Sequence, residues 1–345
     1  MSDFSESKEV TTITLAVVAY NEEAYLPRLL TDLRTQTYPH ERIEVLLIDS
    51  ASTDGTRGVM EDFAKEETSF AAVRVLTNEK KRQSAGWNVA IRAFSSASLV
   101  RVDAHARIPE DFVASCVKAL ETEDVAGGVR PTLCESDGAW ARTLWMAEES
   151  LFGSSVSTAR RGGEGAYVKS LFHACYRKEV LDTVGEFRED LGRTEDNEFH
   201  YRIRKRGYRI YRSPEIYSEQ YVRPTFGRML KQKAGNGFWI GRTLGIVPGC
   251  ISVYHLVPFV FLAALITSGV LALFGHLWCL QLLGAMYGSV AVLMTLWSAF
   301  SLQREGERVP GFVFLLPLLF FCLHITYGAG TCAGLVSIPF GRKRG

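Results

Sequence analysis

The stretch VRVDAHARIP, Val100 to Pro109, places an aspartate and a histidine two residues apart directly after an apolar run. Other apolar runs, ITLAVVAY, IEVLLID and AAVRVL, alternate with segments of helical period such as EEAYLPRLLTDLRTQ. Strands that alternate with helices favour parallel βαβ units in a doubly wound sheet. Ligands of such sheets bind outside the carboxyl ends of the strands, which predicts a binding edge beside Asp103 and His105.

Polar side chains follow each strand whose carboxyl end should meet at this edge. They begin in AYNE, IDSASTDGT and VDAHA and comprise Tyr20, Asn21, Glu22, Asp49, Asp54, Asp103 and His105. If the strand continues, Asp103 and His105 share a face, and a carboxylate with an imidazole suits Mn²⁺ or another divalent first-row ion. The residues alone leave a second interpretation open, in which the aspartate caps the following turn and the histidine is solvated.

The apolar content of the chain is concentrated towards its C-terminal end. Of the 345 residues, 47% are hydrophobic. Three nearly uncharged blocks, Leu256–Gly275, Leu277–Phe300 and Gly311–Leu335, each reach the roughly 20 residues that cross a bilayer as a helix. The sequence therefore predicts a soluble domain followed by a multi-pass membrane region of about three helices. A formal net charge of +1 argues against nucleic acid as a partner.

The two ends of the chain bear on its topology. The N-terminal segment MSDFSESKEVTT is polar and lacks a signal-peptide pattern, so we expect the large domain to stay cytosolic, at the inner (plasma) membrane. Three spans would then leave GRKRG, Gly341 to Gly345, outside, against the positive-inside tendency, unless one segment is a half-span or interfacial. We expect an α/β domain at residues 1–221, an amphipathic interfacial segment at 222–254 and a transmembrane region at 255–345.

The segment from about Pro224 to Leu244 combines aromatic and basic residues, a mixture typical of a helix that lies in a membrane interface. Its aromatic side chains would act as apolar anchors, and its cations would face lipid head groups. The anchors are Phe226, Phe238 and Trp239, and the cations are Arg228, Lys231, Lys233 and Arg242.

Four segments carry a resemblance to a known family: VVAYNEEAYLPRLLTDLRTQTYP, VLLIDSASTDGTRGVM, VRVDAHARIPEDFV and GRTEDNEFHYRIRKRGYRI. In order and spacing they resemble the successive motifs of family 2 glycosyltransferases with the GT-A fold, over about Ile13 to Ile210. The resemblance implies a Rossmann-like, mostly parallel sheet. The DAHA form and the C-terminal apolar blocks resemble the membrane-attached, succinoglycan-type branch, whose members extend sugars on polyprenyl-diphosphate lipids in exopolysaccharide assembly.

The resemblance implies how a UDP-sugar donor would be bound. The family's metal-binding D-x-D falls on Asp103 and His105, with an imidazole in place of the second carboxylate, and implies Mn²⁺ or Mg²⁺ as cofactor. The nucleoside motif falls on Asp49, and Tyr20 and Glu22 would complete the nucleoside pocket. Glu22 has an alternative role as a charge at a helix N-terminus.

The loop NEKKRQSAGWN, Asn78 to Asn88, carries three cations just before a predicted helix. A diphosphate needs positive charge and exposed backbone N–H groups, and a loop that enters a helix N-terminus supplies both. Lys81 and Arg82 are therefore candidate donor-binding residues. The alternative is that these cations contact only water.

Two acidic residues, Glu195 and Asp196, begin a segment of helical period. A sugar hydroxyl must lose its proton as it attacks, which a positioned carboxylate can accept. Asp196 matches the family's catalytic base in its E-D motif, and Glu195 is the next candidate. In the alternative interpretation both acids only favour the positive end of a helix.

The acceptor side is expected near MLKQKAGNGFWIGR, where Gln232, Lys233 and Trp239 are candidate contacts to the acceptor or its diphosphate. The family's processive members carry Q-x-x-R-W here, but Gly235 stands where the arginine would be. This departure argues against a processive polysaccharide synthase. Lipid anchoring alone is the other role open to these residues.

The sequence thus predicts a metal-dependent, inverting glycosyltransferase that moves a sugar from a UDP-sugar to a lipid-linked acceptor. A rival enzyme would transfer the sugar to a polyprenyl monophosphate, which needs no hydroxyl base. A non-enzyme alternative is a membrane-tethered nucleotide-sugar sensor, since a fold alone does not establish activity. Such a sensor would bind donor tightly with neither transfer nor hydrolysis.

Overall fold

A computed structural model describes residues 12–153, 163–222 and 225–338. The chain divides into two compact units, one formed by Met1–Thr132 with Thr158–Tyr221 and the other by Leu133–Ser157 with Val222–Gly345. The predicted division at residues 221 and 254 stays a prediction. The expectations for the polar N-terminal segment up to residue 11 and for GRKRG lie outside the described residues.

The first unit is built on a sheet of eight strands. They are β1 (Ile13–Ala19), β2 (Ile43–Asp49), β3 (Ala72–Thr77), β4 (Ser98–Asp103), β6 (Val125–Val129), β8 (Ala166–Tyr167), β9 (Ala174–Arg177) and β10 (Ile210–Tyr217). Their order is β3-β2-β1-β4-β9-β6-β10-β8. The pairs among β1 to β4 and the pair β6–β10 are parallel, whereas β9 is antiparallel to β4 and β6 and β8 is antiparallel to β10. The predicted α/β fold with a mostly parallel sheet is confirmed.

Helices cover both faces of this sheet, because both faces of its strands are apolar. The helices are α1 (Leu26–Arg34), α2 (Thr56–Glu66), α3 (Gln83–Ala93), α4 (Phe112–Leu120), α6 (Lys178–Val184) and α7 (Glu195–Lys205). Val100 and Val102 on β4 point into one hydrophobic cluster, which α1, α2 and α4 complete. Leu99 points into the opposite cluster, with α3, α6 and α7. Two short strands, β5 (Ala106–Arg107) and β11 (Glu219–Val222), pair antiparallel beside the sheet, and β7 is Thr132–Cys134.

The strand register brings the predicted motifs to one edge. Ala19 at the end of β1 pairs with Asp49 at the end of β2. On the other side of β1, Val18 pairs with Asp103 at the end of β4. Since these strands are parallel, their carboxyl ends and the loops that follow them meet at the same edge of the sheet.

The second unit is helical. Its helices are α5 (Ala139–Glu149), α8 (Phe226–Leu244), α9 (Val257–Leu273), α10 (Leu277–Arg304) and α11 (Leu316–Val336). Three helical segments, Val253–Leu273, Leu277–Arg304 and Val313–Val336, are long and apolar enough to cross a membrane. The prediction of three such helices is confirmed, with ends that differ from the predicted blocks by a few residues.

Helix α8 packs against α11 through glycines. A Cβ added at Gly237 would lie 2.0 Å from the carbonyl oxygen of Tyr327, and one added at Gly334 would lie 2.0 Å from that of Phe238. Lys233 on α8 is buried, with its Nζ 3.7 Å from Oε1 of Glu148. The expectation that Lys233 faces lipid head groups is therefore wrong, because α8 turns this residue into the helical unit.

Candidate active site

A pocket of about 180 Å³ lies at the carboxyl ends of β1, β2 and β4 in the first unit. Its lining consists of Val18, Ala19, Tyr20, Glu22, Ser50, Lys81, Gln83, Asp103, Ala104 and His105. Five of the predicted site residues, Tyr20, Glu22, Lys81, Asp103 and His105, thus share one pocket. Strand β4 ends at Asp103 and does not continue through His105, yet both residues line the pocket.

The loops around this pocket carry unusual backbone conformations. Asn21, Ala51 and Lys81, which follow β1, β2 and β3, have φ angles of 57°, 54° and 56°. Alanine and lysine rarely adopt this left-handed region, which costs on the order of 1–3 kcal/mol per residue. Strain of this kind clusters at functional sites, so the backbone marks the same edge as the side chains. At Lys81 it accompanies a side chain whose Nζ lies 5.9 Å from the centre of the Tyr20 ring.

Asp103 is held by groups from α3 and from the residues next to β6 and β9. Its Oδ2 lies 3.2 Å from Nε2 of His173 and 3.4 Å from Nη1 of Arg130. Its Oδ1 accepts a hydrogen bond from Nε2 of Gln83 at 3.3 Å. Burial would raise the pKa of Asp103, but the hydrogen bond with His173 and the charge of Arg130 hold it well below its usual range. Asp103 is therefore an ionised carboxylate at neutral pH.

His105 has a partner at each ring nitrogen. Its Nδ1 lies 3.2 Å from Oε1 of Glu22, and its Nε2 lies 2.7 Å from the side-chain nitrogen of Gln220. The amide of Gln220 donates to Nε2, so Nδ1 carries the hydrogen that reaches Glu22. Burial opposes the charged form, but the hydrogen bond with Glu22 and the carboxylates of Asp103 and Glu22 raise the pKa of His105.

The pair Asp103 and His105 determines how a metal ion could bind here. Within residues 12–153, 163–222 and 225–338, no group of three or more His, Cys, Asp and Glu side chains is placed to hold a metal ion. A carboxylate and an imidazole nevertheless face the same pocket. With Nε2 of His105 released from the amide of Gln220, two such ligands would fit a divalent ion that takes its other ligands from phosphate oxygens and water.

Two predicted donor-binding residues, Asp49 and Arg82, do not line the pocket. Asp49 is buried, and its Oδ1 accepts a hydrogen bond from the backbone N–H of Ser52 at 3.1 Å. Arg82 donates from Nη1 to the backbone carbonyl of Glu189 at 2.6 Å. Of the adjacent cations, Lys81 faces the pocket, whereas Arg82 anchors the loop to the chain just ahead of α7.

The predicted base region lies at the start of α7. Oδ1 of Asp196 accepts a hydrogen bond from Nη1 of Arg101 at 2.7 Å, and the Asp196 side chain is 31% exposed. Glu195 is buried, and its Oε2 has no hydrogen-bond partner among the described residues. Burial, together with the charge of Asp196, raises the pKa of Glu195 to about 8. Two adjacent acids therefore differ, since Glu195 keeps its proton at neutral pH while Asp196 is paired with a cation.

Several residues at the site were not assigned a role from the sequence, among them Gln83 and Gln220 described above. His173 and Arg130 contact Asp103, and Arg101 contacts Asp196. His173 lies directly before β9. It is buried, with its Nδ1 2.8 Å from Oγ of Ser218, but it also contacts the predicted metal ligand. One signal was available for Arg101, which interrupts the otherwise apolar run SLVRV.

The candidate acceptor residues lie on α8 in the second unit. Gln232 is exposed, whereas Lys233 is buried beside Glu148. Trp239 is partly buried, edge-on to Phe238 with ring centres 5.7 Å apart, and the guanidinium of Arg242 lies 5.8 Å from its ring. These contacts hold Lys233 and Trp239 within the helical unit.

Comparison with known proteins identifies the relatives of this chain. The sequence profile described as "Glycosyl transferase family 2" matches residues 14–185. The dolichyl N-acetyl-alpha-D-glucosaminyl phosphate 3-beta-D-2,3-diacetamido-2,3-dideoxy-beta-D-glucuronosyltransferase of Methanococcus voltae is 25% identical over 332 residues, 94% of this chain and 97% of the relative. The succinoglycan biosynthesis protein ExoA of Rhizobium meliloti is 28% identical over 235 residues, 68% of this chain and 70% of the relative.

A solved structure has the same fold. It is the mannosyltransferase PcManGT from Pyrobaculum calidifontis in complex with GDP-Man and Mn²⁺. The likeness has a TM-score of 0.59 at 19% sequence identity and covers 98% of this chain and 89% of that one. The predicted GT-A fold is confirmed.

Proposed function

The chain belongs to glycosyltransferase family 2, and we propose that it moves a sugar from a UDP-sugar to a hydroxyl of a lipid-linked saccharide. The product would be an intermediate of an exopolysaccharide or another cell-surface glycan. The observation that carries the proposal is the meeting of Asp103, His105 and Lys81 in one pocket at the carboxyl edge of the sheet. The name of the Methanococcus voltae relative supports an acceptor of this class, and that of the Rhizobium meliloti relative supports a role in polysaccharide synthesis.

The donor side combines two ligands and one cation. Asp103 and His105 would hold Mn²⁺ or Mg²⁺, as the fold neighbour with bound Mn²⁺ supports. Such an ion neutralises the leaving diphosphate when it is bound. Lys81 adds positive charge beside the Tyr20 ring, which is 48% exposed and open to a base or ribose. Buried Asp49 would act on the nucleoside through the loop that it caps.

The acceptor side needs a base, and we assign this role to Asp196. As the acceptor oxygen bonds to the anomeric carbon, the bond from that carbon to the diphosphate breaks and the hydroxyl proton passes to the carboxylate. One in-line displacement inverts the anomeric centre. Glu195 keeps a proton at neutral pH and is the weaker candidate, because a protonated acid cannot accept another proton.

Transfer to a polyprenyl monophosphate is the second candidate. Its acceptor is already ionised, so no base is needed. The name of the Methanococcus voltae relative favours the first candidate, because its dolichyl phosphate acceptor already carries a sugar. Gly235, where processive members have arginine, supports the addition of one sugar at a time.

The reaction is tested directly on membranes that contain the full-length protein. They are incubated with labelled UDP- and GDP-sugars and with polyprenyl lipids that carry either a bare monophosphate or a sugar on a diphosphate. A labelled product from a UDP-sugar and the sugar-bearing lipid supports the proposal. A product from the monophosphate alone supports the second candidate, and donor binding without any product or hydrolysis supports a sensor.

The base is tested with Asp196→Asn, which keeps the shape of the side chain but cannot accept the proton. We expect turnover to fall by roughly 10² to 10⁴ while the affinity for the UDP-sugar changes by only about a few fold. Unchanged turnover would contradict a base at Asp196. A collapse of donor affinity would instead show that Asp196 holds the sugar, and Glu195→Gln would then be the next variant.

We further propose that the apolar helices of the second unit anchor the protein in the plasma membrane, with the first unit in the cytosol. Three helices of sufficient length and hydropathy support this. Reporter fusions at residue 221 and after residue 338 locate each side. A reporter at residue 221 that is active only outside the cell would refute the cytosolic assignment.

A further inference from the structure

Arg101 is a buried arginine in an apolar environment. It lies on β4 between Leu99 and Asp103, on the strand face that points into the cluster completed by α3, α6 and α7. The residue is only 2% exposed. Its guanidinium carbon lies 5.0 Å from the ring centre of Trp87, 5.7 Å from that of Tyr176 and 4.9 Å from that of Phe187.

The hydrogen bonds of Arg101 are directional and few. Nη1 donates to Oδ1 of Asp196 at 2.7 Å, and Nη2 donates to the backbone carbonyl of Phe172 at 3.2 Å. Its Nε is buried without a partner among the described residues. Three aromatic faces around the cation fix its position. The guanidinium is therefore held so that it reaches one oxygen of one carboxylate.

Stability alone does not explain this arrangement. Removing an arginine from water is costly, and an apolar residue of similar volume at a buried ion-pair position is often equally stable or more stable. The surrounding cluster consists of apolar and aromatic side chains that would accept methionine or leucine. An arginine here needs a further reason.

We propose that Arg101 is a positioning residue that fixes the Asp196 carboxylate in front of the acceptor hydroxyl. The proposal rests on the proposed function, in which Asp196 is the base. Arg101 holds one oxygen of Asp196, while the side chain stays 31% exposed and open to an acceptor. Arg101 and Asp103 are two residues apart on the same face of β4, so one strand sets the spacing between the base and the donor site.

The test is a cycle of variants in the full-length protein. Arg101→Met and Arg101→Lys are each combined with Asp196→Asn, and turnover, KM for the UDP-sugar and thermal unfolding are measured. Arg101→Met alone should lower kcat by about 10- to 100-fold, since it removes the orientation but not the carboxylate. KM for the donor should change by less than about threefold, since the pocket residues stay in place.

The decisive comparison is between the double variant and Asp196→Asn alone. If Arg101 acts through Asp196, the double variant turns over within about threefold of Asp196→Asn, since effects of residues that act as one unit do not add. Arg101→Lys should have a higher turnover than Arg101→Met and a lower one than the parent. Lysine keeps the charge but lacks the planar fork by which arginine donates to both Asp196 and the carbonyl of Phe172. If Arg101→Met does not fold, Arg101→Lys carries the same cycle.

A matched control is Arg177→Met. Arg177 is also a buried arginine, on β9, and it donates to the backbone carbonyls of Leu120 and Glu123. Its removal should lower activity only in proportion to the loss of folded protein. Two outcomes would overturn the positioning role alone. One is a double variant whose loss of kcat is the product of the losses in Arg101→Met and Asp196→Asn, and the other is a rise in donor KM that parallels the loss of kcat. Full turnover of Asp196→Asn would overturn the base assignment and the positioning role together.

Discussion

The carboxyl edge of the sheet and the contact between α8 and α11 are held together in opposite ways. At the sheet edge, charged and polar side chains hold one another, as the guanidinium of Arg130 and the imidazole of His173 hold Asp103. Between α8 and α11, glycines such as Gly237 omit side chains so that backbones approach closely. Removing a charge at the edge should therefore end the chemistry with the fold intact. Adding one carbon atom between the helices should disturb the fold while the chemistry stays intact.

The largest effect is expected at Asp103. Asp103→Ala should abolish transfer, because it removes the carboxylate that would hold the metal ion at the donor diphosphate. The measurement is product formation with and without Mn²⁺, with thermal unfolding as a check on the fold. Asp137→Ala, an exposed acidic residue outside the pocket, is the control and should keep full activity. Full activity of Asp103→Ala in the presence of a chelator would refute the role of Asp103 as a metal ligand. The chemistry would then not depend on the charges at the sheet edge.

The next effect concerns the helix pair. In Gly237→Ala the new Cβ would meet the carbonyl oxygen of Tyr327 at 2.0 Å, so backbone must move. Overpacking of this kind costs about 1–3 kcal/mol. We expect a lower unfolding temperature of the detergent-solubilised protein, with kcat per folded molecule unchanged.

Gly227→Ala provides the matched control in the same helix. A Cβ at Gly227 meets no atom of the described residues within 4 Å. Alanine in place of a helical glycine stabilises by about 0.5–1 kcal/mol, so this variant should unfold at the same temperature or higher. Equal unfolding temperatures for both variants would mean that the close approach at Gly237 is not needed for stability.

The two regions also differ in what their sequence could predict. The ends of β1, β2 and β4 were predicted because each signal is local: an apolar run followed at once by polar residues. His173 and Arg130 could not be assigned to the same site, because β9 enters the sheet antiparallel between β4 and β6. Local sequence does not encode which strand becomes the neighbour of another.

The packing of α8 against α11 shows the converse, because the sequence of α8 carries a local signal for close helix packing that the prediction of an interfacial helix did not use. Gly237, Gly241 and Gly245 recur every four residues, as do Gly330 and Gly334. Such spacing is typical of close helix packing. The cations and aromatic residues of α8 instead favoured an interfacial helix, and the expected exposure of Lys233 was wrong for that reason.

A smaller effect is expected at Glu195 and depends on pH. Its pKa is raised to about 8 in the folded protein from an ordinary value of 4.5. Between these two values the unfolded chain releases a proton that the folded protein keeps, so stability falls as the pH rises through this window. Glu195→Gln has no such proton. It should be more stable than the parent by at least about 1 kcal/mol at pH 8, with the difference closing towards pH 4.

The measurement is the unfolding temperature of both proteins between pH 4 and pH 9. A variant that is less stable than the parent at every pH would mean that Glu195 is ionised and paired. In that case Glu195 would resemble Asp196, which is paired with Arg101, and the contrast between the two acids would disappear.

The smallest effect is expected at two adjacent cations, Lys81 and Arg82. It tests whether only side chains that face the pocket contribute to donor binding. Lys81 lines the pocket, whereas Arg82 donates to the carbonyl of Glu189. Lys81→Gln should raise KM for the UDP-sugar by about fivefold, the value of a charge contact worth about 1 kcal/mol near solvent. The difference in KM between Lys81→Gln and the parent should shrink with added salt, because salt screens a solvated charge.

Arg82→Gln is the control. It should change KM by less than about twofold, and this change should be insensitive to salt, since the contact of Arg82 is to a backbone carbonyl. Glutamine is unbranched like lysine, so Lys81→Gln should not add to the backbone strain at residue 81. A larger rise of KM in Arg82→Gln than in Lys81→Gln would show that the anchor of this loop, and not the charge in the pocket, sets donor affinity.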